Sequence, residues 1–346
     1  MFGLAEIDDR YHVWRVPLLS RESGEKVGEV VVEAFGGAVD ERRGSDEDAV
    51  TVRLPAVAAN GPRAAPARES VSVSPLGNTI LCGDSEVTLR ELPDESVDLV
   101  FTSPPYYNAR PDYSEFAGYE AYLDKIGRVM AQCHRTLHEG RFFVMNVAPV
   151  LIRRSKRSES SQRLAVPFDM HRLLVESGFD FVDDIVWVKP EGAGWATGRG
   201  RRFAADRNPL QYKAVPVTEY LLVYRKRTDR LIDWHIRTHP DPAVVERSKI
   251  RGEYERTNVW KIKPAHSKAH PAVFPVELAE RVIRYYSFER DVVLDPFAGI
   301  GTVGEAAAAL GRRWVLSELD PGYVDVIRSR AANWPSVAAA EEGPGG

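Results

Sequence analysis

Val97-Asp98-Leu99-Val100-Phe101-Thr102-Ser103-Pro104-Pro105-Tyr106 runs from a short apolar stretch into a turn held by two prolines. The apolar part reads as a buried strand of a parallel sheet. Two consecutive prolines fix two backbone φ angles, remove two amide donors and push Ser103 away from helix. A stiff loop at the carboxyl end of a strand is where open α/β sheets bind their ligands. This loop offers oxygen acceptors, the Ser103 hydroxyl and the Ser103 and Pro104 carbonyls, beside the aromatic plane of Tyr106. A planar group bearing an amino group can stack on that ring and donate to those oxygens. The competing reading is a strand-to-helix turn that uses proline only as punctuation.

Outward from this stretch, strands alternate with helices. Thr79–Cys82 is expected as a strand ending at Gly83-Asp84, followed by a short helix over Ser85–Leu92. After the proline loop come a helix at about 119–137, a strand at 141–147 and a helix at about 166–177 ending at Gly178, a C-cap glycine. Strands follow at 181–188 and 219–224. The order predicts an α/β fold with a doubly wound, mostly parallel sheet. Short alternating runs at 26–33 and 49–54 suggest a small β-rich appendage over residues 1–56, joined by a Pro/Ala-rich linker at 57–77. Residues 335–346 are Ala/Glu/Gly-rich and expected as a disordered tail.

A second anchor stands at Asp291–Thr302, where Val292-Val293-Leu294-Asp295 leads into Pro296-Phe297-Ala298-Gly299-Ile300-Gly301-Thr302. A helix at 303–310 stops at Gly311, and the strand 314–317 ends at Glu318. Gly299, Gly301 and Gly304 spell G-x-G-x-x-G with an acidic residue at the next strand end, the pattern of a dinucleotide site. Only 45 residues follow Gly301, too few for the rest of a dinucleotide-binding sheet and a catalytic domain. A nucleoside cofactor is the more economical occupant: the glycines let backbone approach it, and Glu318 accepts hydrogen bonds from both ribose hydroxyls.

The two anchors together resemble the amino-methylating DNA methyltransferases. Asp295–Thr302 resembles their S-adenosylmethionine motif, and Ser103-Pro104-Pro105-Tyr106 resembles their (D/N/S)-P-P-(Y/F) catalytic tetrapeptide. The catalytic motif comes first, which is the permuted order of the β group, and His270–Leu278 resembles the segment leading into that group's cofactor motif. Gly83-Asp84, Trp187–Pro190 and Glu219-Tyr220 also fall where the pattern places them. The resemblance spans residues 78–334 and implies a seven-stranded methyltransferase sheet, with 225–268 as the target-recognition region. It implies that Thr102, Asp295, Phe297, Ala298, Gly299, Gly301 and Thr302 surround the cofactor. Glu318 would hold its ribose and Asp84 its adenine edge, with Phe274 and Pro275 near the methionine end. Ser103, Pro104, Pro105 and Tyr106 would be catalytic. The expected activity is site-specific methylation of the N4 amine of a flipped cytosine in double-stranded DNA, with N6-adenine as the alternative. Ser at the head of the tetrapeptide favours cytosine. Tyr107, Lys189, Arg199, Arg201 and Arg202 are the expected DNA contacts, and a cognate restriction endonuclease is a further expected partner. The resemblance also implies a cytoplasmic protein of bacterial, archaeal or phage origin.

Totals agree with these expectations. The chain has 346 residues, a net charge of -4 and two cysteines, Cys82 and Cys133, so no disulfide framework or CxxC zinc spacing exists. Mean hydropathy is -0.30, and no apolar run reaches the ~18–20 residues that span a bilayer. Charge is uneven: residues 1–70 carry a net -4, 153–163 a net +4 and 189–230 a net +6. An acidic front and basic middle suit phosphate contact by the middle alone. His266 and His270 are spaced like a helical metal pair, but Pro271 and the family pattern argue against one, so no metal is expected. Glutamine methylation of a protein is a rival for an N-P-P-Y-like loop, but those enzymes place the cofactor motif first. A DNA-binding module without turnover would show a broken glycine loop or lack the acidic ribose ligand.

Overall fold

The computed structural model describes residues 2–3, 5–8, 11–21, 26–34, 36–59, 73–107, 118–152, 162–190, 209–210, 216–265 and 274–335. The chain divides into two compact units, Met1–Val71 with Leu231–Pro240, and Ser72–Arg230 with Asp241–Gly346. The smaller unit holds an antiparallel sheet of β1 (Glu6–Asp8), β2 (Val13–Leu19) and β3 (Lys26–Glu33). The run 49–54, expected as a strand, lies instead in helix α1 (Glu47–Ala59). Its start explains the difference. The Asp46 carboxylate accepts from the Ala49 amide at 2.6 Å, and Glu47 and Asp48 occupy the first turn, where the helix dipole favours them. Six residues of alternation were outweighed by a capped start.

The larger unit begins with β4 (Thr79–Cys82), α2 (Ser85–Thr88) and β5 (Val97–Thr102). Then come α3 (Tyr119–Thr136), β6 (Leu137–Val147), and a hairpin of β7 (Val150–Ile152) and β8 (Gln162–Leu164). α4 (Val166–Glu176), β9 (Phe179–Val188) and β10 (Thr218–Lys226) follow. The helix α5 (Trp234–Thr238) falls in the smaller unit, so the expected recognition region 225–268 is divided between the two. Its remainder supplies α6 (Pro242–Ser248) and β11 (Val259–Lys261). The chain closes with α7 (Val276–Tyr286), β12 (Val292–Asp295), α8 (Thr302–Ala309), β13 (Arg313–Glu318) and α9 (Pro321–Ala331).

Among the described residues, eight strands form one sheet in the order β11-β9-β10-β6-β5-β12-β13-β4. Seven of them make the expected sheet, and β11 adds a short strand beside β9. β10 runs antiparallel to both of its neighbours, and every other pairing in the sheet is parallel. All six residues of β5 are buried because helices cover both faces, which is why its sequence shows no alternation. On one face α3 presents Tyr122, Ile126, Val129, Met130 and Cys133 to Phe143, Met145 and Phe179. On the other, Leu278, Val282 and Ile283 of α7 join Val303, Ala306 and Ala307 of α8 over Leu99, Phe101 and Val144. Gly178 ends α4 at φ +95°, the left-handed position its C-cap reading requires.

Of the expected linker 57–77, residues 57–59 are helical and 73–77 belong to the larger unit, where the buried Ser74 hydroxyl donates to Ser96 O at 2.5 Å. Residues 60–72 and the expected tail beyond Pro335 lie outside the described residues. Among the described residues, no helix is long and apolar enough to cross a membrane.

Candidate active site

The four parallel strands β5, β12, β13 and β4 end on the same side of the sheet, and both anchors of the sequence leave from these ends. β12 lies directly beside β5, with Leu294 opposite Val100. The Thr102 hydroxyl donates to Asp295 Oδ1 at 2.7 Å across 193 residues of chain. The same oxygen accepts the Phe297 amide at 3.0 Å, so one carboxylate ties the proline loop to the glycine loop. Asp295 is 2% exposed. Burial pushes its carboxyl up to about 7, against the opposing pull of its two hydrogen bonds.

The glycine loop is built as a cradle. Gly299 and Gly301 stand at φ +55° and +83°, backbone that a side chain would strain. Gly304 serves packing: a Cβ there would lie 2.6 Å from Leu316 Cδ1 and 2.8 Å from the Trp334 ring. Behind the loop, Arg330 donates to Ile300 O and pairs with Glu305, while Trp334 packs edge-on against Trp314 at 5.3 Å.

Glu318 closes the cradle. Its Oε2 accepts the Gly299 amide at 2.7 Å and its Oε1 the Asp320 amide at 2.9 Å, while burial raises its pKa. Each oxygen keeps a second lone pair, which fits a ribose diol. The Gly83 amide donates to Glu318 O at 2.9 Å, and the Ser85 hydroxyl donates to Pro296 O, which brings the β4 end to the same place. Asp84 caps α2 by accepting the Glu86 amide at 2.9 Å and is paired with Lys125 at 2.5 Å. Its carboxylate is thus fixed at the rim. Phe274 lies 5.3 Å from Phe101, just before the proline loop, and Pro275 is buried at the start of α7.

In the proline loop, Pro104 is buried and Ser103, Pro105 and Tyr106 are half-buried. The Tyr106 hydroxyl donates to Glu219 Oε2 at 3.1 Å. That carboxylate also accepts Asn146 Nδ2 at 2.8 Å and pairs with Lys189, whose ammonium sits 4.4 Å over the Trp187 ring. Asn146 Oδ1 is buried with no partner among the described residues. Tyr107 packs against Tyr119 and Tyr122 at 5.2 and 5.6 Å and forms wall rather than open surface. Lys189, expected on DNA, therefore spends its charge on Glu219. Arg199, Arg201 and Arg202 lie outside the described residues, as do His266 and His270. No cluster of metal-ligating side chains occurs among the described residues. Sequence reading placed Glu219 and Trp187 in the pattern without giving them a task, and it passed over Asn146, a buried polar residue near the site end of its strand. Of the aromatics in the recognition region, Trp260 is core at 3% exposure and Tyr254 is exposed.

Residues 97–329 match the family of N6/N4 DNA methylases. The chain belongs to that family. Among DNA methylases it is 30% identical over 286 residues to the type II methyltransferase M.Cfr9I of Citrobacter freundii, covering 73% of this chain and 87% of that one. It spans only 27% of the longer type II β methyltransferase M.BslI of a Bacillus species, at 27% identity over 73% of this chain. The DNA adenine methyltransferase YhdJ of Escherichia coli is 26% identical, with 71% and 80% covered. Among solved structures, TTHA0409 of Thermus thermophilus, described as a DNA modification methylase and crystallised with S-adenosyl-L-methionine, superposes with a TM-score of 0.59. It is 32% identical, with 74% and 93% covered. S-adenosylmethionine is the cofactor of this methylase fold, and Glu318 keeps the acceptor lone pairs that its ribose hydroxyls need beside the glycine backbone.

Proposed function

We propose that this chain methylates the exocyclic N4 amine of a cytosine flipped out of double-stranded DNA. The observation that supports the reading is the Thr102–Asp295 hydrogen bond, which holds an amine-accepting loop beside a nucleoside cradle. An exocyclic amine is a poor nucleophile because its lone pair is delocalised into the ring. The Ser103 hydroxyl and Pro104 carbonyl accept its hydrogens, draw the nitrogen toward tetrahedral geometry and localise the lone pair. S-adenosylmethionine supplies, when bound, an electrophilic methyl group on a sulfonium. The two loops contribute mainly alignment for direct displacement. The base must leave the stack to reach Ser103, and the Tyr106 ring provides its stacking surface.

Ser103 at the head of the tetrapeptide favours cytosine. The N6-adenine reading uses the same acceptors and is favoured by one specific observation, the adenine methyltransferase among the relatives. Backbone contact falls in this reading to the basic segments 153–163 and 189–213, including Arg199, Arg201 and Arg202. Target recognition falls to the 225–268 region, where Lys249, Arg251, Tyr254 and Arg256 are exposed. Incubating the protein with S-adenosylmethionine and unmethylated DNA, digesting to nucleosides and weighing them tests this. N4-methylcytosine is the expected product. N6-methyladenine transfers the reading to adenine, and a C5-methylated base or no methylated base overturns both.

A further inference from the structure

Glu219 is the point where three strands converge on the proline loop. It sits on β10, opposite Trp187 of β9, and receives Asn146 from β6 and Lys189 from the end of β9. Its fourth neighbour is the Tyr106 hydroxyl, which belongs to the loop after β5. Oε1 faces the ammonium, and Oε2 takes the amide and the phenol. Lys189 is itself confined, over a Trp187 ring that is 2% exposed and whose Nε1 donates to Ile262 O at 2.8 Å. The Glu219 side chain keeps only 16% of its surface.

A carboxylate with its oxygens committed in this way is badly placed to serve as a base. It is well placed to hold. Without the hydroxyl contact, the half-buried Tyr106 ring would keep its packing against the core but lose one restraint on its choice of χ1 well and on its broad, two-fold χ2. The 3.1 Å hydrogen bond ties the ring to a strand that is paired on both sides and so restricts that freedom. Lys189 neutralises the half-buried carboxylate, and Asn146 fixes which way it faces.

We propose that Glu219 is a positioning residue that fixes the base-facing ring of Tyr106, with Asn146 and Lys189 orienting its carboxylate. The proposal rests on the reading that the proline loop receives the target base. It predicts a division that a purely structural ion pair does not produce. Tyr106→Phe keeps the ring and loses only the anchoring hydroxyl, and Glu219→Gln keeps the shape and loses the charge. Each lowers kcat for DNA methylation about ten- to hundredfold while the Kd for S-adenosylmethionine stays within about twofold. Because both act on the same link, the double variant is no slower than the slower single one.

The experiment measures single-turnover rates with radiolabelled S-adenosylmethionine, cofactor affinity by calorimetry, and melting temperature for wild type, both single variants and the double variant. Non-additive loss of rate with cofactor affinity retained supports the proposal. A Tyr106→Phe enzyme at wild-type rate, or losses that multiply in the double variant, overturns it. If Glu219→Gln fails to fold, Tyr106→Phe alone decides, because its hydroxyl lies at the loop rim. A wild-type protein that methylates no DNA would instead defeat the functional reading, so the two failures are separable.

Discussion

At the scale of single residues, the proposed reaction rests on one hydroxyl and one buried acid. Ser103→Ala removes an acceptor from the amine while leaving the glycine cradle untouched. Methyl transfer should therefore fall below detection while calorimetric binding of S-adenosylmethionine stays within about threefold of wild type. Asp295 carries the opposite kind of effect. Its carboxyl titrates at about 7 in the folded chain, against ~3.9 in an unfolded one. An acid raised by folding favours the fold below the unfolded value, and that benefit is lost as pH rises toward the folded value. Asp295→Asn retains the acceptor for Thr102 and Phe297 but never ionises. Without cofactor, the variant should melt above wild type at pH 8, by a free energy of up to ~4 kcal/mol, and the gap should shrink steadily toward pH 4. A constant gap across that range would show that folding does not raise the Asp295 pKa. Both residues were legible in the sequence because two prolines after Ser103 restrict the backbone and the glycines after Asp295 permit turns that a side chain would strain.

At the scale of elements, the sequence was clear where periodicity was long and unclear where it was short. The amphipathic spacing of α3 and the largely apolar run of β5 were read correctly. β11 has three residues, too few to show any period, and it exists only because β9 offers it a free edge. α9 carried a readable start that was passed over: Asp320 accepts the Gly322 amide at 2.7 Å and Pro321 occupies the first turn. This helix matters for the site, because it delivers Arg330, and the residues just after it Trp334, to the back of the glycine loop. No pattern in the loop itself announces this support. Trp334→Ala should open a cavity behind Gly301 and Gly304 and raise the Kd for S-adenosylmethionine about tenfold, measured by calorimetry, with Ser103 chemistry unaltered at saturating cofactor. Gly304→Val should be worse, because its side chain meets Leu316 as well as Trp334.

At the scale of the whole larger unit, the sheet is pinned at both ends. Opposite the site, at the amino ends of β5 and β12, the buried Arg141 donates Nε to Asp98 O at 2.8 Å and pairs with Asp291. Burial pushes Asp291 up to about 6, against the pull of Arg141. Asp98 is also buried, yet the hydrogen bond from His138 and the charge of Arg141 hold it below the usual carboxylate range. Arg141→Met strands two acids and should cost about 3–5 kcal/mol in urea unfolding. The strand order carries a different consequence. β4 and β5 are close in sequence, yet β12 and β13 stand between them in the sheet. Among the described residues β4 has β13 as its one neighbour, so Thr88 beside it waits 229 residues for Ser317. During synthesis the proline loop emerges early, and the strands that complete its surroundings emerge late. A ribosome-bound chain halted before β12 has no place for a methyl donor, so translation itself sets the moment at which this protein becomes able to mark DNA.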